Sequence, residues 1–77
     1  MQEIRKKILM KIEVIFKNKF MEPIEWRGRE AIMIFKREED MYRFIDLNGD
    51  ELLAAGAREV WVSINDGEYT IYRLEKV

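Results

Sequence analysis

The chain has 77 residues, which is one domain near the small end of what folds unaided. It contains no cysteine and no histidine, so disulfide bonds and thiolate or imidazole metal sites are excluded. Hydrophobic residues make up 48% of the sequence, too many for a disordered chain. We therefore expect a single folded domain over residues 1–77.

The charged residues are numerous but nearly balanced, at 38% of the sequence with a net charge of −1. Soluble domains carry roughly 25%, and the excess is typical of prokaryotic proteins from hot environments. No apolar run approaches the ~20 residues that cross a bilayer, and no signal-peptide pattern follows the N-terminal charges. We expect a cytoplasmic protein that does not associate with membranes.

The N-terminal segment places isoleucines at helical spacing. Ile4, Ile8, Ile12 and Ile15 fall on one side of a helical wheel, and basic side chains occupy much of the remainder. This pattern predicts an amphipathic helix over residues 2–18, which Pro23 cannot continue.

The middle of the chain predicts three strands, over residues 23–27, 30–36 and 41–47. The second is apolar at every position from 31 to 35, which indicates a central strand covered on both faces. Asn48 followed by Glu51 resembles a capping box, and Gly56 lies where a helix stop is expected. We therefore predict a short helix over residues 49–55.

The C-terminal part predicts a hairpin of strands 59–64 and 68–74 around Asn65, Asp66 and Gly67. A two-residue loop would place Trp61 opposite Tyr72, whereas a three-residue loop with a glycine bulge would reassign the faces. The predicted fold class is α+β, with a long N-terminal helix packed on a mainly antiparallel five-stranded sheet.

Nucleophile–base catalysis lacks its usual residues, because the chain has one serine, one threonine and neither histidine nor cysteine. No cofactor or metal site is expected. Carboxylates are plentiful, however, and Glu25, Glu30, Asp46 and Glu75 lie near basic residues in the sequence. A minimal metal-dependent nuclease is therefore a remaining alternative.

The segment from Glu51 to Val62, followed by the segment from Tyr69 to Glu75, resembles the C-terminal end of a bacterial family of putative restriction-endonuclease-like proteins. That family has a helix, an Ala-Gly-Val-type turn, a Trp-bearing strand and a Tyr-Arg-Leu strand. Its catalytic acidic residues and lysine lie upstream and have no counterparts at positions 24–47. The resemblance therefore implies no catalytic residue in this chain.

Two binding functions fit the composition better than catalysis. Exposed aromatic residues favour a non-enzymatic module that binds another protein, whether a second copy or a larger complex that it regulates or inhibits. The candidate residues are Trp61, Tyr72 and Tyr42, although the short helix and residues 21–24 could instead cover them. The alternative is nucleic-acid binding by a basic helix and an arginine turn. Its candidate residues are Lys6, Lys7, Lys11, Lys17, Arg27 and Arg29.

Overall fold

The computed structural model describes residues 10–75, which form one four-stranded antiparallel sheet, one two-stranded hairpin and one helix. The elements in chain order are β1 (Ile12–Lys17), β2 (Glu25–Trp26), β3 (Arg29–Glu30), β4 (Ile32–Phe35), α1 (Glu38–Ala54), β5 (Glu59–Ile64) and β6 (Tyr69–Arg73). The α+β class is confirmed, but the predicted architecture is not. The N-terminal helix and the five-stranded sheet of the prediction are wrong.

The large sheet has the strand order β4-β1-β5-β6, so β1 and β5 are central and β4 and β6 are the outer strands. Helix α1 connects β4 to β5 across β1 and packs on one face of the sheet. The largest fully buried side chains lie between them: Phe16, Ile12, Leu52 and Val14. Strands β4 and β5 run in the same direction because each pairs antiparallel with β1.

Residues 12–17 form a central strand, which corrects the predicted helix over residues 2–18. Ile12, Val14 and Phe16 are fully buried, and the residues between them face the other side of the sheet. The period of two and the β-branched side chains both favour a strand. Asn18 does not end a helix; its Oδ1 accepts hydrogen bonds from the backbone N–H groups of Phe20 and Glu22. Residues 1–9 lie outside the described part of the chain.

Residues 38–54 form one helix, which corrects both the predicted strand over 41–47 and the short helix over 49–55. Glu38, Glu39 and Asp40 occupy its first turn, where the helix dipole favours negative charge. Asn48 lies inside the helix and donates a hydrogen bond from Nδ2 to the Phe44 carbonyl at 3.0 Å, so it is not an N-cap. No helix within residues 10–75 combines the length and apolar character needed to cross a membrane.

The helix ends at the predicted glycine. Gly56 has a φ of 108°, and its N–H donates to the Leu53 carbonyl at 3.0 Å. The Ala57 N–H donates to the Leu52 carbonyl at the same distance. These two bonds are the Schellman motif, and the side chains of Leu52 and Ala57 are both fully buried.

The apolar segment 31–35 forms an outer strand, which corrects the prediction of a central strand covered on both faces. Ala31 is buried between the short hairpin and β1, and it interrupts the predicted strand over 30–36. Met33 and Phe35 pack against the core, while Ile32 and Ile34 face away from α1 and are exposed. A continuous apolar sequence therefore does not distinguish this half-covered strand from a fully covered one.

The predicted C-terminal hairpin is confirmed, but its register is not the one a two-residue Asp66-Gly67 loop would give. Asn65 and Asp66 both have positive φ, and the Gly67 N–H donates to the Ile64 carbonyl at 3.0 Å. The turn is therefore type I′ at Asn65 and Asp66. One extra residue follows it, because Ser63 pairs with Tyr69. As a result, Trp61 lies opposite Ile71.

Candidate interaction surface

The sheet face opposite α1 carries apolar side chains from all four strands, and we call it the open face. Its central row consists of directly paired residues from β4, β1, β5 and β6, in the order Ile32, Ile15, Trp61 and Ile71. Ile34 and Tyr69 extend the apolar surface at the two edges, where 60% and 41% of their surfaces are exposed. No described residue of a helix covers this face, so the row is an apolar band across the whole sheet.

Trp61 lies in the middle of this band in a fixed orientation. Its Nε1 donates a hydrogen bond to Glu59 Oε1 at 2.9 Å. The Lys17 ammonium lies over the indole, 3.6 Å from the ring centroid, and the Tyr69 ring lies 5.9 Å away on the neighbouring strand. These contacts restrict the indole before any partner binds, which lowers the entropy cost of using it as a binding anchor.

A second row of the open face is held together by a hydrogen bond across three strands. The Tyr69 hydroxyl donates to Glu13 Oε1 at 2.8 Å, passing over Ser63 on β5. Because the neutral phenol donates to a carboxylate, and because the group is partly desolvated, the pKa of Tyr69 is raised above its usual value. Ser63 is buried beneath this bond and donates its own hydroxyl to the Gly67 carbonyl at 2.7 Å.

Tyr42 and Tyr72 lie on the other side of the sheet, where they line a groove of about 200 Å³ between α1 and β6. The predicted patch of Trp61, Tyr72 and Tyr42 is therefore divided between two surfaces. The one-residue register shift causes this division, since it moves Tyr72 to the position opposite Val60. The pair Asn65-Asp66 favours the type I′ turn that is observed, but it does not give the register alone, because one further residue separates the turn from β6.

Among the described residues, the basic side chains proposed for nucleic-acid binding do not form one surface. Arg27 makes two hydrogen bonds with Glu51, at 2.9 and 3.0 Å, and its guanidinium lies 4.2 Å from the centroid of the Trp26 ring. Lys11 pairs with Asp66 at 3.1 Å. Arg29 is exposed at the β2–β3 hairpin, and Lys17 lies on the open face. Lys6 and Lys7 lie outside the described residues.

The Arg27–Glu51 pair joins the short hairpin to α1. The hydrogen bonds between them raise the pKa of Arg27 and lower the pKa of Glu51. The buried Trp26 indole also lowers the pKa of Glu51, yet its N–H has no hydrogen-bond partner of ordinary length among residues 10–75. These contacts fix the hairpin against the helix, which accounts for Arg27 without a nucleic-acid ligand.

The carboxylates considered for metal binding are dispersed. Within residues 10–75, no three Asp or Glu side chains come together in a way that could hold a metal ion. Glu25 and Glu30 pair on the short hairpin, whereas Asp46 and Glu75 line a separate depression beside α1.

Comparisons with known protein families, with curated proteins and with solved structures find no match to this chain. Residues 51–75 do contain the helix end, turn and two strands that the C-terminal resemblance implies. The function must therefore be inferred from the chemistry of the surface.

Proposed function

We propose that this chain is a non-enzymatic module that binds another protein through the open face. The supporting observation is the apolar row of Ile32, Ile15, Trp61 and Ile71, which crosses every strand of the sheet. Ile32 and Ile71 at the ends of the row are exposed, and Ile15 and Trp61 between them are partly exposed. A contiguous apolar surface of this kind marks interaction sites in soluble proteins. Trp61 near the centre of the row is the type of residue that dominates binding energy at interfaces.

The charges around the row favour a protein partner over a nucleic acid. Lys17 and Arg73 are on this face, together with the acidic side chains of Glu13 and Glu59. The acidic and basic groups balance, whereas nucleic-acid affinity depends on an excess of basic groups that contact phosphates. An apolar centre with a mixed-charge rim is instead the usual anatomy of a protein interface.

The partner can be identified with a photo-crosslinking amino acid at position 34, on the open face, in the native host. Position 47 is the matched control, because Leu47 is also an exposed apolar residue, at 76%, and lies on α1. We expect a discrete crosslinked protein from position 34 and none from position 47. If positions 34 and 47 crosslink to the same set of proteins, the proposal is contradicted.

Titration calorimetry with the identified partner then tests the residues. Trp61→Ala should weaken binding by about 2 kcal/mol or more, roughly 30-fold, since it removes a central aromatic anchor. Ile34→Lys should also weaken binding, while Leu47→Lys should leave it unchanged. If the ligand were instead an RNA or DNA oligonucleotide, Ile34→Lys would strengthen binding because it adds a positive charge.

A further inference from the structure

Strand β6 has one backbone edge that no strand within residues 10–75 pairs with. It pairs with β5 on one side, and no described residue pairs with its other side. The Leu74 N–H donates to the Arg58 carbonyl at 2.9 Å, which continues the β5–β6 ladder beyond β6. Because hydrogen-bonded pairs alternate in an antiparallel ladder, Thr70 and Tyr72 also bond to β5. The N–H and C=O groups of Tyr69, Ile71 and Arg73 therefore point outward from the sheet.

This edge has few of the features that usually prevent strands from pairing, and Arg73 at its end is the one charged residue in β6. All five residues of β6 are exposed, and none is proline or glycine. Ile71 and Tyr72 each have about half of their surface exposed, on opposite faces of the strand. The other outer strand, β4, has only four residues and is followed at once by Lys36 and Arg37. An exposed apolar edge is a template for another strand, and β6 is the better template.

The sequence of β6 is complementary to itself in the antiparallel direction. If two copies meet about a two-fold axis at Ile71, each Ile71 faces the other, Tyr69 faces Arg73, and Thr70 faces Tyr72. Neither pair across the axis joins like charges. The outward backbone groups at positions 69, 71 and 73 fall opposite one another, as an antiparallel ladder requires.

We propose that β6 pairs with β6 of a second copy of this chain, joining the two four-stranded sheets into one of eight strands. The pairing is isologous, so it closes as a dimer. The two open faces become one continuous surface with the apolar rows end to end. The dimer uses the strand edge and leaves the open face uncovered, so it does not depend on the proposed binding of another protein.

Sedimentation equilibrium of the full chain over about 1–300 μM tests the dimer. We expect a reversible monomer–dimer equilibrium that Ile71→Lys abolishes, because two like charges would meet on the axis. Ile34→Lys is the matched control on β4 and should leave the dimer intact. A chain that is monomeric throughout this range overturns the proposal, as does a dimer that survives Ile71→Lys.

Backbone pairing is tested separately at position 73. Arg73→Pro and Arg73→Ala remove the same side chain, but only proline also removes the outward N–H, and neither change removes a hydrogen bond to β5. The proline variant should dimerise about tenfold or more weakly than the alanine variant, since two symmetric hydrogen bonds are lost. Equal dimerisation of the two variants overturns pairing through this edge.

Disulfide crosslinking reports the register, because the natural chain has no cysteine. In the proposed dimer, Ile71→Cys brings the cysteines of the two copies together as a hydrogen-bonded pair. Their Cα atoms are then about 5.5 Å apart, within the range that a disulfide spans. Arg73→Cys places them about 14 Å apart along the strand, beyond that range. Oxidation should link the first variant and not the second, and the reverse result overturns the two-fold axis at Ile71.

These outcomes separate the two proposals. If Ile34→Lys remains dimeric but loses the partner, both stand. If the dimer fails while Trp61→Ala still weakens partner binding, only the β6 inference is wrong. If the dimer behaves as expected and Trp61→Ala binds the partner normally, only the proposed function of the open face is wrong.

Discussion

Phe44 and Tyr42 on α1 provide the sharpest test of the fold, because they are two residues apart. In a strand over residues 41–47 their side chains would share a face, whereas in α1 they diverge. Phe44 contacts three aromatic rings at centroid distances of 5.5–6.1 Å, those of Phe16, Trp26 and Phe35. Tyr42 is 56% exposed and lines the groove beside β6.

The expected difference between the two alanine variants is large relative to the total stability. A chain of 77 residues has a free energy of unfolding of roughly 4–12 kcal/mol. Phe44→Ala should cost about 3 kcal/mol, at the lower end of the range for phenylalanine because the ring is only partly buried. Tyr42→Ala should cost no more than about 1 kcal/mol. Both gain the same helix propensity from alanine, so the difference reflects packing.

Urea denaturation followed by far-UV circular dichroism measures both free energies. With a slope of about 1 kcal/mol per molar urea, Phe44→Ala should lower the midpoint by about 3 M and Tyr42→Ala by less than 1 M. Similar losses from the two variants would refute the helix and restore a strand over residues 41–47.

Other predictions concern the helix end and the open face. Gly56→Ala should destabilise the fold by about 1–2 kcal/mol, because φ there is 108°, whereas Gly49→Ala inside α1 should stabilise it by about 1 kcal/mol. Thermal denaturation measures both changes, and a stability change of the same sign in the two variants would contradict the Schellman motif at Gly56. The Tyr69 phenol should ionise at a higher pH than an ordinary tyrosine, measured as the tyrosinate absorbance that Tyr69→Phe removes. Because the pKa of Tyr69 is raised in the fold, its contribution to stability is complete below a pH of about 10 and is lost as the pH rises through the raised value. Glu13→Gln should reduce this loss, and an unchanged pH profile in that variant would contradict the hydrogen bond as its cause.

The C-terminal part of the fold could be predicted because its local signals agree. Gly56 is a helix stop in sequence and in structure, and alternating residues between Glu59 and Ile64 match the strand observed there. The register was the remaining uncertainty, since the loop could contain two or three residues. The loop length determines which side chains of β6 lie on the open face.

The predictions for the N-terminal and central parts were wrong because short apolar segments fit both the helical period of 3.6 residues and the strand period of two. Ile12 and Ile15 fit a helical stripe, but Ile12 and Val14 also fit the alternation of a strand. Similarly, Met41 and Ile45 suit one face of a helix and also a strand of alternating residues. Pairing across the sheet decides these cases, and pairing partners are distant in sequence. The open face was missed for the same reason, since its row unites residues 15, 32, 61 and 71.

The extra residue between the Asn65–Asp66 turn and β6 has a consequence for how this surface can change. The β5–β6 register depends on the number of residues in the connection, while the buried residues of β1 and β5 are set by their own pairing. A deletion of Gly67 would remove that extra residue and leave Trp61 opposite Ile71, whereas a deletion of both Gly67 and Glu68 would leave the core in place, shift β6 by one residue and bring Thr70 and Tyr72 to the open face beside Trp61. The length of one surface loop therefore determines which of two chemically different surfaces β6 adds to the same scaffold, and the extra residue protects the present surface against the loss of a single codon.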